Sequence, residues 1–416
     1  MEARQFAIEV IERLRSEGHL ALMAGGCVRD ELLGRAPSDY DVATDAPPDR
    51  ITQFFPKTAE VGASFGVVLV KSGPHTIEVA TFRSDGKYTD SRRPDSVTFS
   101  NPRDDATRRD YTVNALFWSP DRPSEAAFEG AAVTRSASGG WIVDFISGLR
   151  DLEGRVIRAV GDPHQRLAED HLRALRAVRL AAKLGFEIHP DTATAITRHA
   201  SDLRGISRER IGDELRMMLE HSTRVRAVRV LQDLGLVVPV MGWAAPSQCT
   251  ILAALPAAPN FPVALAAWLM DAGRASPADL GAARTLLMLS NDERDRTQAI
   301  LSSVAEFRSH WDSWPVSRRK REIARESFVD ALTLLQAVDS MSAERIGQDA
   351  GRLEQTPSGI RPVPLVTGDT LTALGLRPGP AFKRILDGVY DAQLDDRVAD
   401  PEAARRFALE LARSRG

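Results

Sequence analysis

One change of pattern constrains this 416-residue chain more than any other feature. Up to about residue 145, short apolar runs alternate with helical segments; from Asp162 onward the pattern is helical throughout. Residues 3–15 read as an amphipathic helix with Phe6, Val10 and Leu14 on one side. His19 to Ala24 reads as a strand ending at Gly25-Gly26, followed by a brief helix up to Gly34. Asp39–Thr44, Gly66–Lys71 and Thr76–Phe82 read as strands, the last two parted by the turn Ser72-Gly73-Pro74. Residues 119–140, rich in Ala, Ser, Pro and Gly, read as a surface loop. Asp162-Pro163 is a helix start and Gly185 a stop. The expected layout is an α+β head followed by an all-helical remainder.

The formal net charge is −3, so any affinity for nucleic acid must come from local clusters. Residues 146–230 carry 16 Lys and Arg against 12 Asp and Glu. A second cluster, Arg318-Arg319-Lys320-Arg321, follows Trp311 and Trp314 and is read as a solvated helix face. No apolar window is long enough for a membrane span, so no membrane partner is expected. The two cysteines, Cys27 and Cys249, suit reduced thiols in a cytoplasm and no disulfide-linked partner.

The chemistry concentrates between Leu22 and Asp41. Gly25-Gly26 at a strand-to-helix turn lets an anion approach helix N–H groups, and Arg29, one turn on, adds a forked donor for phosphate. Asp39 and Asp41 flank one residue, so on a strand both carboxylates leave the same face. Two adjacent carboxylates repel unless a cation lies between them, and hard oxygen ligands suit Mg²⁺. A pair of such ions, about 4 Å apart, activates an attacking hydroxyl and stabilises a leaving pyrophosphate. Glu78 is the candidate third ligand, sharing a strand face with Ala80 and Phe82; a plain surface glutamate fits that pattern equally well. A dinucleotide site at Gly25-Gly26 is set aside, because the Gly-X-Gly-X-X-Gly spacing is absent.

The order Gly-Gly-X-X-Arg-Asp, Leu-Gly, then Asp-X-Asp resembles the first motif of the tRNA CCA-adding and bacterial poly(A) polymerase family, within the DNA-polymerase-β-like nucleotidyltransferases. Arg108 to Leu116 resembles the second motif, and Asp144 to Leu152 the third, a hinge without direct chemistry. Glu169 to Arg179 resembles the fourth, and Ile206 to Leu215 the fifth, a buttress to the fourth. The resemblance implies a head with a mixed sheet and a magnesium-dependent enzyme extending tRNA 3′ ends with CTP and ATP. It implies that Gly26, Arg29, Arg109, Asp110 and Asn114 hold the nucleotide, Asp110 and Asn114 on the ribose side. Asp170 and Arg173 would pair with the incoming base in place of a template, and Arg176 and Arg179 would bind phosphate or substrate. Read as one helix, Asp170, Arg173, Arg176 and Arg179 are successive i, i+3 neighbours.

Val61 to Val68 looks like the tRNA enzymes, and Phe82 to Pro94 matches the loop kept by enzymes that add the terminal A. CCA addition is therefore expected, with A addition alone or poly(A) synthesis as alternatives, and a non-catalytic RNA-binding descendant as a remoter one. The expected domains are a catalytic head at 1–145, a base-recognising helical neck at 146–230, a helical body at 231–345 and a tRNA-binding tail at 346–416.

Overall fold

The alternating pattern of the first 145 residues folds into an eight-stranded mixed sheet. The computed structural model describes residues 2–60, 66–86, 96–124, 128–244 and 246–414. The chain divides into two compact units, Met1–Met218 with Arg226–Ala244, and Leu219–Val225 with Ala245–Gly416.

In the first unit, helix α1 (Ala3–Ser16) buries Phe6, Ala7, Val10, Ile11 and Leu14. After it come β1 (Ala21–Ala24), α2 (Gly26–Leu32), β2 (Asp41–Thr44), α3 (Pro48–Phe54), β3 (Thr58–Glu60), β4 (Val67–Ser72) and β5 (His75–Thr81). A small hairpin, β6 (Arg83–Asp85) with β7 (Val97–Phe99), precedes α4 (Pro102–Thr107), β8 (Phe117–Ser119), β9 (Ala132–Arg135) and β10 (Trp141–Asp144). The sheet order is β3-β4-β5-β2-β1-β8-β10-β9. Strands β2 and β5 run parallel, and the α3-β3-β4 stretch supplies the long crossover that parallel neighbours need. Leu22, Ala43, Phe82, Phe117 and Val143 form a core beneath the sheet.

Two expectations change here. Residues 119–140 are not all loop, because Ala132–Arg135 pairs with β10 as an edge strand. The turn that allows it depends on Gly140, at φ +75°, where a Cβ would lie 2.6 Å from the Ser119 carbonyl oxygen. The strand expected from Asp39 begins only at Asp41, with Asp39 in the irregular segment ahead of it.

Helix α5 (Gly148–Glu153) and β11 (Val156–Ile157) lead to α6 (Pro163–Glu169) and α7 (Arg173–Leu184). The Asp162 side chain caps α6 by accepting from the backbone N–H groups of His164 and Gln165, and Gly185 ends α7 at φ +76°. Then come β12 (Glu187–Ile188), α8 (Pro190–Arg198), a 3₁₀ turn (Ala200–Gly205), α9 (Arg208–Leu219), α10 (Arg224–Asp233) and α11 (Val237–Met241). The helix expected to run unbroken from Glu169 to Arg179 breaks at Asp170, whose backbone is extended at φ −152° and ψ 102°. Its carboxylate accepts from the Leu172 N–H, the local bond by which Asp competes with helix.

The second unit is helical, through α12 (Thr250–Ala254), α13 (Phe261–Asp271), α14 (Pro277–Leu287), α15 (Asn291–His310), α16 (Val316–Ile323), α17 (Phe328–Val338), α18 (Ser340–Glu354), α19 (Gly368–Ala373), α20 (Pro380–Leu394) and α21 (Pro401–Arg413). Helices α19 to α21 share a core of Leu371, Ile385, Val389, Ala404 and Ala408. The basic cluster on α16 is not the solvated face expected of it. Lys320 is fully buried, its ammonium donating to Ser358 Oγ at 2.7 Å and the Leu394 carbonyl at 2.8 Å. Arg319 pairs with Asp349 at 3.1 Å and Arg321 with Asp391 at 2.7 Å. A buried ammonium is tolerable only when its donors are met, and here they fasten α16 to the C-terminal helices.

Candidate nucleotidyl-transfer site

The head and the helices after it enclose a cleft of about 740 Å³, lined by every site residue singled out from sequence: Gly26, Arg29, Asp39, Asp41, Glu78, Arg109, Asp110, Asn114, Asp170, Arg173, Arg176 and Arg179. One wall is acidic. Asp41 on β2 stands in register with Glu78 on the parallel strand β5, so both project from the same sheet face, with Asp39 two residues ahead. Ala80 lines the cleft as well, whereas Phe82, expected on this face, turns fully into the core past the end of β5.

Among the described residues, none of these three carboxylates has an ion-pair partner within 4 Å. Burial pushes the Asp41 carboxyl up to about 7, with Glu78 and Asp39 adding to the rise and Arg109 opposing it. Burial and Asp39 raise Glu78 also, against Arg83 and Arg109. Carboxylates held together at this cost are chemically suited to a hard divalent cation.

The rim beside them carries a glycine turn and two fixed arginines. Gly25 has φ +82°, and a Cβ there would stand 2.8 Å from Arg109 Nη1, so the close approach requires glycine. Arg109 is fixed by donating to Asp105 Oδ2 at 2.9 Å and to the Asn114 carbonyl at 3.0 Å. Asp105 also accepts from Arg108 at 2.9 Å; burial raises its pKa, but the two arginines bring it below the usual range. Sequence reasoning missed Asp105, although its i+3 and i+4 spacing to Arg108 and Arg109, just past the end of α4, was the available signal. Arg29, itself buried, donates to Asn114 Oδ1 at 2.5 Å and to Asp30 at 2.8 Å.

The opposite wall interlocks the head with the helices. Asp110 accepts from Asn114 at 3.0 Å and from Arg176 Nε at 2.9 Å. Burial works against its charge, yet Arg176, Asn114 and the Tyr111 N–H bring its pKa to about 2. Tyr111 donates its hydroxyl to the Arg173 carbonyl at 2.5 Å. Asp170 accepts both arms of Arg210, at 2.7 and 3.2 Å. Arg173 donates to Glu169 at 2.6 Å and Arg179 to Glu214 at 2.6 Å. Arg210 was read only as part of a buttress, yet it lines the cleft and grips Asp170 directly. In the third motif, Asp144 accepts from the N–H groups of Ile146, Gly148 and Leu149, while Asp151 accepts from Thr112 and Arg158, so both brace the segment around α5. The sequence matches at 61–65 and 87–94 lie outside the described residues.

A sheet with paired acids, an arginine-fixed rim and a following helical wall defines a nucleotidyltransferase. Residues 21–158 match the Poly A polymerase head domain, and residues 185–242 the family described as "Probable RNA and SrmB- binding site of polymerase A". The CCA-adding enzyme of Geobacillus stearothermophilus is 31% identical over 421 residues, covering 99% of this chain and 97% of that protein. That of Lactiplantibacillus plantarum is 30% identical over 96% of this chain and 94% of its own. The solved structure of the Bacillus stearothermophilus CCA-adding enzyme in complex with CTP superposes with a TM-score of 0.79 at 28% identity, covering 100% of this chain and 99% of that one. The chain belongs to the CCA-adding enzyme family. Enzymes of this class are in general metal-dependent.

Proposed function

We propose that this protein adds CCA, or its terminal A, to tRNA 3′ ends in the cytoplasm, consuming CTP and ATP and releasing pyrophosphate. The observation that carries this reading is the acidic wall of Asp39, Asp41 and Glu78 beside the fixed guanidinium of Arg109 in one cleft. The metal is Mg²⁺, held by Asp39 and Asp41 with Glu78 as third ligand; when bound it lowers the barrier to attack and neutralises the leaving pyrophosphate. Arg109 and Arg29 hold the triphosphate, while Asp110 and Asn114 bound the ribose. The RNA 3′ hydroxyl gives up its proton to water and its oxygen bonds to the α-phosphorus as the bond to the bridging oxygen breaks, so that pyrophosphate departs with that bridging oxygen.

Asp170 and Arg173 read the base. A carboxylate oxygen has two lone pairs, so Asp170 can keep Arg210 and still accept from the amino group of cytosine or adenine. Arg176 and Arg179 complete the substrate wall. In this reading residues 1–145 are the catalytic head and 146–230 the base-recognising neck, while the body at 231–345 and the tail at 346–416 hold the tRNA.

The test is incubation of the pure protein with tRNA ending at the discriminator base, with tRNA ending in CC, and with unstructured RNA, followed by sequencing of the products. Addition of CCA to the first primer and of A to the second is the expected outcome. Extension of the second alone would mean A addition only, and long A tails on the third would mean a poly(A) polymerase.

A further inference from the structure

Behind the base-reading turn lies a cluster of side chains that nucleotidyl transfer does not use. His171 sits in the joint between α6 and α7, next to Asp170; His164 lies in the first turn of α6. His199 closes α8, and Asp202 follows in the 3₁₀ turn. One donor atom from each of His171, His199 and Asp202 falls within 4.8 Å of the others. His199 Nδ1 is 2.8 Å and His171 Nδ1 4.0 Å from the same Asp202 Oδ2. The ligand atoms of a tetrahedral Zn²⁺ ion are about 3.3 Å apart, so these separations bracket that edge.

A second observation points to a ligand. His171 Nδ1 is buried without a hydrogen-bond partner, an arrangement that normally costs a protein stability. The outer ring nitrogen is accounted for as well: His199 Nε2 lies 3.3 Å from His164 Nδ1. In this structure His199 Nδ1–H donates to Asp202; an ion taking that place would put the ring proton on Nε2, facing His164, the orienting contact that metal-bound histidines make. The His171 and His199 side chains are 17% and 25% exposed, so an ion can enter.

We propose that His171, His199 and Asp202 bind one divalent transition-metal ion of the Zn²⁺ class, with His164 orienting His199 and water completing the coordination. Two imidazoles and one carboxylate are a borderline-soft set, distinct from the all-oxygen centre at Asp39 and Asp41. The ion ties the turn carrying Asp170 to the end of α8.

The test uses the full-length protein, stripped with chelator and titrated with Co²⁺ and Zn²⁺ in excess Mg²⁺, which occupies the carboxylate centre. A single Co²⁺ retained per chain, with a tetrahedral-type visible absorption band, is expected. His171→Ala and His199→Ala abolish the band, His164→Gln weakens binding about 10- to 100-fold, and Asp39→Asn leaves it intact. The nearly isosteric Asp202→Asn serves if an alanine variant does not fold; Zn²⁺ should raise the melting temperature of the wild type and not of this variant. Failure to retain Co²⁺, or a band unchanged by His171→Ala, overturns the proposal, the latter marking adventitious binding to surface histidines.

Discussion

The two walls of the cleft treat their charges in opposite ways. On the sheet side, Asp39, Asp41 and Glu78 stand together with no ion-pair partner among the described residues, and burial adds to their mutual repulsion. On the helical side, each acid meets an arginine: Asp110 with Arg176, Asp170 with Arg210, Glu169 with Arg173 and Glu214 with Arg179. An unpaired group of like charges stores unfavourable energy that a bound cation can release. A paired network fixes donors and acceptors in place, which is what discriminating one base edge from another requires. The first wall should therefore govern turnover with little contribution to folding, and the second should govern selectivity.

The sharpest break between them is Asp39→Ala. With several kcal/mol of transition-state stabilisation lost, incorporation should fall roughly 10³-fold or more. The melting temperature without metal should hold or rise, because repulsion is relieved. Substantial turnover in Mg²⁺ would remove the metal assignment.

Next in size is selectivity. Asp170→Ala should let UTP and GTP compete, narrowing discrimination about 10- to 100-fold, since a polar group lost from such a site is worth about 1–3 kcal/mol. Arg210→Ala should act in the same direction and more weakly, because it orients Asp170 without replacing it. Competition kinetics on a tRNA primer would read both. Wild-type selectivity in both variants would make this wall structural only.

The acidic wall also sets a pH dependence. The carboxyl of Asp41 has its pKa raised from 3.8 to about 7, so below about pH 7 a proton competes with the metal. Apparent Mg²⁺ affinity should rise about tenfold per pH unit toward pH 7 and then level off. Without metal the native state holds more proton than the unfolded chain between about pH 4 and 7, so its stability should fall as pH rises through that window. Calorimetric Mg²⁺ titrations at several pH values test the first point, and a flat profile would remove Asp41 from the metal centre.

The acidic wall was the more legible of the two from sequence. Asp39 and Asp41 are two residues apart, a spacing that suggests one shared side, and both line the cleft although only Asp41 belongs to β2; Gly25-Gly26 announces the close approach. The long-range partners were hidden: Arg210 lies 40 residues from Asp170, and no local periodicity links them. Helical spacing even misled, placing Asp170 within a helix that ends before it, since an acid that bonds its own local backbone looks the same in sequence as a surface one. Lys320 is the same kind of miss, because a basic run reads as solvated until the carbonyl and hydroxyls that bury it are brought in from residues 356–394.

That miss leads to the smallest expected effect, which tests whether the paired state extends beyond the cleft. Of the four basic residues at 318–321, Arg318 is among the most exposed, at 47%; it pairs with Glu306 at 3.0 Å and stacks over the Trp314 ring at 4.0 Å. Exposed pairs are worth about 0–1 kcal/mol and a cation–π contact at such a site about 0.5–1 kcal/mol, so Arg318→Ala should shift the melting temperature only slightly. If the run serves the packing of the second unit, tRNA affinity should change less than about twofold, with no change in its salt dependence. If it lies against the RNA backbone, losing one cation should make the salt dependence shallower by close to one phosphate contact. Measuring the affinity of the wild type and Arg318→Ala across a range of salt concentrations separates the two. The buried ammonium of Lys320 and the acid-paired guanidiniums of Arg319 and Arg321 favour the first outcome, because a cation already neutralised by carboxylates and carbonyls has little to gain from a phosphate.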